Sequence, residues 1–189
     1  HVHLTGRGDQ EGSAKKARMT SEEIVFTKED EGEVKFPHND ALVIKARISN
    51  AEVLRIMIDT GSSVNVMYKD CYDQLGLGAN QLKPSPEPLY GFTGDAVIPI
   101  GQVRLPLSIG DPARQATTLA DFLMVNGASA YNVVLGRPAM NNLDMVVSTK
   151  ALMIKFPMTS GVGTVRGEQY TARRCYVKVV KIGVTYKRI

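Results

Sequence analysis

The sequence predicts an all-β domain, and three observations carry that reading. Apolar and polar residues alternate with period two over residues 42–49 and again over 102–109, the spacing of strands with one inward face. Short apolar runs at 54–58, 119–125, 133–135 and 152–156 are bounded by Gly, Pro, Asn and Asp, which punctuate strands with turns. Helical pattern is confined to short pieces near 69–75 and after Pro138. A chain of 189 residues supports one substantial core, burying about 70% of the surface its unfolded form exposes.

Residues 1–33 hold Gly, Ser and charge with little apolar periodicity, so they read as a flexible arm with a short strand at 24–27. Within it, Arg7-Gly8-Asp9 is an adhesion-like tripeptide that reads as chance, and His1 and His3 lack the partners a metal site needs. The globular domain spans 34–157. Pro37, Asn39 and Asp40 turn the chain into the first strand, where Leu42, Ile44, Ala46 and Ile48 face inward. A short connection at 49–52 makes a hairpin with the run at 54–58, which suits a strand buried on both faces. Val64, Val66 and Tyr68 continue as a strand, and Lys69 to Leu75 forms a helix stopped by Gly76 and Gly78. Three prolines exclude regular structure over 82–89.

Next, Leu89-Tyr90-Gly91-Phe92-Thr93-Gly94-Asp95 has the makings of a mobile hairpin tip whose two aromatics could close over a ligand. Pro106 assigns the strand at 103–109 to an edge, because proline lacks a donor for the ladder. Pro138 suits the first turn of a helix reaching Leu143. The strand at 152–156 ends at Pro157, and 158–189 reads as a C-terminal extension, a linker to a downstream domain or a peripheral strand, with a helix at 168–175 and a basic end.

Composition narrows the function. A net charge of +4 with dispersed positive residues is no nucleic-acid footprint, and neither a zinc knuckle nor a basic stripe with aromatics is evident. Cys71 and Cys175 have no metal-ligand spacing and read as thiols of a reducing compartment. No apolar run approaches the roughly 20 residues a membrane span requires, and no signal peptide or Asn-x-Ser/Thr sequon is seen. These point to an intracellular, cytoplasmic protein with no membrane partner, and beginning at His1 suits a fragment of something longer.

The chemistry is concentrated in Leu54-Arg55-Ile56-Met57-Ile58-Asp59-Thr60-Gly61-Ser62-Ser63-Val64, where a carboxylate stands at the end of an apolar strand. Thr60, Gly61, Ser62 and Ser63 are turn formers, and a carboxyl group on a rigid strand end is positioned rather than merely solvated. Asp-Thr-Gly alone is common in surface turns. A second signature far downstream, Tyr131-Asn132-Val133-Val134-Leu135-Gly136-Arg137-Pro138, is what gives the first its weight.

With both motifs and the glycine-rich hairpin between them, the chain resembles the retropepsin-like aspartic protease region of a plant Ty3/gypsy-type retrotransposon polyprotein, over most of residues 37–176. The resemblance implies a closed β-barrel of the acid protease fold with one or two short helices, half of a homodimer. Two carboxylates sharing one proton are needed, one taking a proton from water while the other polarises the peptide carbonyl. One Asp-Thr-Gly is present, so a two-fold assembly must supply the second.

By the same resemblance Asp59 is the catalytic acid/base, Thr60 bonds to the partner loop, and Gly61 binds substrate backbone. Ser62 donates to the outer carboxylate oxygen and supports an acidic pH optimum; Tyr90, Gly91, Phe92, Thr93 and Gly94 form the flap. Val134, Leu135, Gly136 and Arg137 form the strand beneath the loop. The partners implied are a second copy and a peptide or polyprotein, with no metal and no cofactor. Two positions depart from the pattern: Ser63 stands where an Asp often pairs with the Gly-Arg arginine, leaving Arg137 to find another partner, and Pro138 replaces an Asp or Asn. The alternative function is a retropepsin-fold binding or assembly module without turnover.

Overall fold

In a computed structural model, which describes residues 21–85, 88–90 and 96–186, six strands close into a barrel. These are β1 (Val43–Ile48), β2 (Ala51–Ile58), β3 (Asn65–Tyr68), β6 (Gly101–Asp111), β7 (Arg114–Val125) and β8 (Val133–Leu135), in the order β1-β2-β8-β3-β7-β6. Pairing β1 with β6 closes the two ends that an open six-stranded sheet would leave free. The expected all-β closed barrel is what the chain forms. Its centre is filled by Ile44, Ile48, Ile56, Met67, Leu107, Phe122 and Leu135, each worth roughly 1.5–3 kcal/mol when fully buried.

Local chemistry explains most elements and two departures from expectation. Helix α1 (Lys69–Leu75) ends where Gly76 adopts φ 68°, a left-handed conformation that glycine takes without a Cβ penalty. Helix α2 (Arg137–Asn142) begins with Pro138 in its first turn, as expected. β2 is not buried on both faces: Leu54 is half-exposed, and the inward residues Val53 and Ile56 are three apart. The pairing jumps from Ile44↔Ile56 to Ala46↔Val53, so Leu54 and Arg55 bulge opposite Lys45, with Arg55 at φ 56°. Pro106 does not mark an edge strand, since β6 pairs with β7 along its whole length and with β1 at Ser108 and Leu107. It sits where β1 gives out: the Ser49 N–H donates to the Pro106 carbonyl, and β1 has no further residue to require a proline donor.

A second sheet, β11-β10-β9, comprises β9 (Val146–Ser148), β10 (Met153–Met158) and β11 (Gly161–Arg166). A third is a hairpin of β4 (Leu89–Tyr90) and β5 (Ala96–Val97). The stretch at 24–27 is not a strand; it leads into a 3-10 turn at Lys28–Glu31 pinned to the second sheet. Lys155, largely buried, pairs with Asp30 at 2.8 Å, donates to the Val25 carbonyl, and lies over the Phe26 ring. That lysine holds the Asp30 carboxyl below the usual carboxylate range. Residues 1–20, including Arg7-Gly8-Asp9, His1 and His3, lie outside the described residues.

The third helix is longer than expected: α3 (Gln169–Tyr186) has 18 residues, so the barrel carries two short helices and one long one. Its first turns lie against β1, where the Glu168 N–H donates to the Val43 carbonyl at 2.7 Å; Val43, on the outward phase of its strand, is therefore buried too. Gln169 bonds both the N–H and the carbonyl of Lys35, and Gln169 and Arg173 both donate to Asp40. Burial alone would raise the Asp40 carboxyl, but these two donors outweigh it and the net shift is downward. Cys71 and Cys175 are buried and form no disulfide; burial pushes the Cys71 thiol up to about 11 despite nearby Arg55, so it stays protonated at neutral pH. Among the described residues no helix is long and apolar enough to cross a membrane.

Candidate active site

Asp59 follows the last residue of β2, and its position is fixed from below by β8. Strand β8 lies between β2 and β3, pairing parallel with β2 (Ile58↔Leu135) and antiparallel with β3 (Val66↔Val134). The loop joining β2 to β3 must therefore cross the end of β8, and Asp59 opens that crossing. Its N–H donates to the Leu135 carbonyl at 2.9 Å, carrying the parallel pairing one residue past the strand.

The turn then closes on itself. Ser62 N–H donates to the Asp59 carbonyl at 3.2 Å, and Gly61 N–H donates to Asp59 Oδ1 at 2.9 Å. The carboxylate is thus held over its own turn, half-buried, with Thr60 and Gly61 exposed beside it. Among the described residues no second acidic side chain is hydrogen-bonded to Asp59.

Three contacts lock the loop onto β8. Arg137 Nη1 donates to the Thr60 carbonyl at 3.0 Å, and the Arg137 N–H donates to the Ser62 carbonyl at 2.9 Å. Arg137, deprived of an aspartate at position 63, has found a backbone oxygen of the loop it serves. Gly136 makes the third contact through absence: a Cβ there would lie 2.2 Å from the Val64 carbonyl oxygen and 2.7 Å from that of Ser62. Its backbone angles are ordinary and extended, so space rather than conformation demands glycine.

Ser62 does not do what was expected of it. Its hydroxyl donates to the Val64 carbonyl at 2.7 Å and accepts from the Val64 N–H at 3.3 Å, so it stabilises the descent of the loop into β3. The bond to the carboxylate comes instead from Gly61, whose expected part was to hold substrate backbone. Tyr90 belongs to β4, paired with Ala96 of β5, so its segment is a hairpin. The tip with Gly91, Phe92, Thr93 and Gly94 lies outside the described residues.

Sequence reasoning missed Asn65. This side chain, 2% exposed, accepts from the Gly136 N–H at 3.0 Å through Oδ1 and donates from Nδ2 to the Asp121 carbonyl at 3.0 Å, tying β3, β8 and β7 together under the loop. The available signal was a polar residue sharing the inward phase of β3 with Met67.

A cavity of about 860 Å³ is walled by Lys45, Arg47, Asp111 and Arg166, without Asp59. None of the four cavities of 420–860 Å³ bounded by described residues is lined by Asp59. The cavity of about 860 Å³ has charged walls, and its Asp111 accepts the Ala113 and Arg114 N–H groups within its own hairpin turn, whereas the Asp59 turn is fastened to a second strand and is the better site although it is open.

No family model matches this chain, and no curated protein matches it. Among solved structures the backbone is similar to the retroviral protease-like domain of Ddi1 from Leishmania major, with a TM-score of 0.49 and 13% identity over 69% of this chain and 96% of that one. It is also similar to a retropepsin-like aspartic protease from Rickettsia conorii, with TM-score 0.43 and 16% identity over 65% and 80% of the two chains. EIAV protease in complex with the inhibitor HBY-793 gives TM-score 0.43 and 18% identity over 61% and 99%.

Proposed function

We propose that the chain is one half of an aspartic endopeptidase that works as a homodimer, with Asp59 of each copy meeting across the two-fold axis. The observation that supports this most is the pinned turn: Asp59-Thr60-Gly61 ends a strand, and Gly136 and Arg137 of the second signature fasten it from beneath. A carboxylate held this way is open on one side, as a group completed by a second copy must be. The contact between Arg137 and Thr60 gives the arginine a partner within the loop in place of the aspartate missing at Ser63, which supports this reading over that of an inactive module.

In the proposed reaction the ionised Asp59 takes a proton from a water molecule as its oxygen attacks the scissile carbonyl carbon. The protonated partner Asp59 gives its proton to the carbonyl oxygen, producing a neutral tetrahedral diol. Proton transfer to the amide nitrogen then breaks the C–N bond and releases an acid and an amine, with one shared proton restored to the pair. Any titration would belong to the dyad. The Thr60 hydroxyls would join the two loops, and by the resemblance the segment joining β4 to β5 would serve as the flap over a peptide. By the resemblance, the substrate is a retrotransposon polyprotein and the setting intracellular.

Incubating the chain with flanking polyprotein at acidic and neutral pH, as wild type and Asp59→Asn, tests the reading. Discrete products in the wild type, suppressed by a pepstatin-like inhibitor and absent from the variant, with a dimer in sedimentation, are expected. Processing that persists in Asp59→Asn overturns it.

A further inference from the structure

The end of β8 away from Asp59 borders a cavity of about 430 Å³, within the size range of small-molecule sites. Its walls include Glu52, Leu54 and Arg55 of β2, Leu75 of α1, Asn132 just before β8, and Glu168 just before α3. Two of these side chains carry opposite charges that nothing in the protein answers.

Arg55 is the first. It stands in the β2 bulge at φ 56°, a left-handed conformation uncommon outside glycine, and its Nε is buried without an acceptor. Asn132 holds it there: Oδ1 accepts from Arg55 Nη2 at 3.2 Å, Nδ2 donates to the Leu54 carbonyl at 2.8 Å, and the Asn132 N–H donates to the Arg55 carbonyl at 3.0 Å. Among the described residues the other guanidinium donors meet no acceptor. Glu168 is the second. It is half-buried, as Arg55 is, and its carboxylate is bonded to no described residue. The two share the cavity without forming an ion pair, whereas Glu52 on the same wall lies 3.7 Å from Lys45.

We propose that this cavity binds a free α-amino acid with an aliphatic side chain, its carboxylate on Arg55, its ammonium group on Glu168 and its side chain against Leu54 and Leu75. A guanidinium and a carboxylate kept apart across one cavity are complementary to a single molecule carrying both charges in reverse. A simple anion would leave Glu168 unanswered, and a simple amine would leave Arg55 unanswered. The planar guanidinium fork matches a carboxylate in geometry as well as in charge. Half-exposed Leu54 and the Leu75 side chain supply apolar wall for the rest of the ligand. Binding here is independent of the chemistry proposed for Asp59, which lies beyond the other end of β8.

Calorimetric titration of the full chain with L-leucine tests the proposal, beside 4-methylpentanoate, which lacks the ammonium group, and 3-methylbutylamine, which lacks the carboxylate. Saturable binding of leucine with a Kd on the order of 10⁻⁴ M is expected, and binding at least tenfold weaker for each analogue. Glu168→Gln should bind leucine no better than wild type binds 4-methylpentanoate, and Arg55→Gln no better than wild type binds the amine, with circular dichroism confirming the fold of each variant. Glu52→Gln removes a charge from the same wall and should change the Kd less than twofold, and Asp59→Asn should bind as wild type does. No saturable binding at a hundredfold above the expected Kd would overturn the proposal. So would equal affinity for leucine and either analogue, or equal losses from Glu52→Gln and Glu168→Gln.

Discussion

Two irregular segments of this molecule are held in place by opposite means. The loop at residues 59–64 is fastened to its surroundings by backbone amides, carbonyls and one arginine bonded to a neutral oxygen. The segment at 25–40, which crosses the second sheet and the start of α3, is fastened largely by paired charges: Asp30 with Lys155, Glu31 with Lys150, and Asp40 with Arg173. Neutral fastening ignores pH and salt but tolerates no change of shape. Charged fastening tolerates some change of shape and fails when a carboxylate is protonated. A loop required to hold a carboxylate through changes of protonation is better served by the first kind.

The sharpest way to break the neutral fastening is Gly136→Ala. The new methyl would meet two backbone oxygens within 2.7 Å, and backbone cannot rotate aside as a side chain would. Overpacking costs roughly 1–3 kcal/mol where side chains can adjust, so at least about 3 kcal/mol is expected here, read as a large fall in the denaturant midpoint. A variant as stable as wild type would mean the loop does not rest on β8.

Asn65→Ala comes next. It leaves the Gly136 N–H and the Asp121 carbonyl buried without that partner, at about 2–4 kcal/mol for the two groups together. Because one of them belongs to the strand under Asp59, cleavage should fall further than the folded fraction does. Equal falls in activity and folded fraction would make Asn65 a core residue only.

The residues of these two regions were unequally legible in the sequence. Asp59, Gly136 and Arg137 stood out because motif and strand pattern agreed, and the helix over Lys69–Leu75 because Gly76 marks its end. Asn65 was hidden because its meaning depends on strands 50 and more residues away. Strand β11 was legible only as one alternative, a peripheral strand, for another reason: Gly161 and Gly163 look like linker, yet a Cβ at Gly163 would lie 2.4 Å from the Phe156 ring, so that glycine lets two strands close over an aromatic. The segment at 25–33 looked flexible because its acidic run has no local partner. Its partners, Lys155, Lys150 and Arg166, lie more than a hundred residues on.

The charged fastening is tested by acid. Asp30 and Asp40 both titrate below their usual range when folded, whereas the unfolded carboxyl titrates near about 3.9. Their contribution is therefore present in full well above pH 4 and is lost as pH falls through the unfolded and then the folded value. Asp30→Asn/Asp40→Asn should lower Tm at pH 7 by a few degrees and flatten its decline between pH 5 and pH 2. Parallel declines in variant and wild type would show that other carboxylates carry the acid response.

The smallest effect sharpens the comparison at the loop itself. Ser62→Ala removes a hydroxyl that serves Val64 at both its N–H and its carbonyl, a change worth about 0.5–1.5 kcal/mol in stability. Because that hydroxyl does not reach the carboxylate and Gly61 does, the pH profile of cleavage should keep its shape while activity drops modestly. A displaced acid limb would instead mean that Ser62 turns toward Asp59 when two copies meet, making the loop of the assembled enzyme different from that of the single chain. Measured beside Asn65→Ala, the variant separates groups that hold the loop from groups that tune its charge, and it assigns Ser62 to the first.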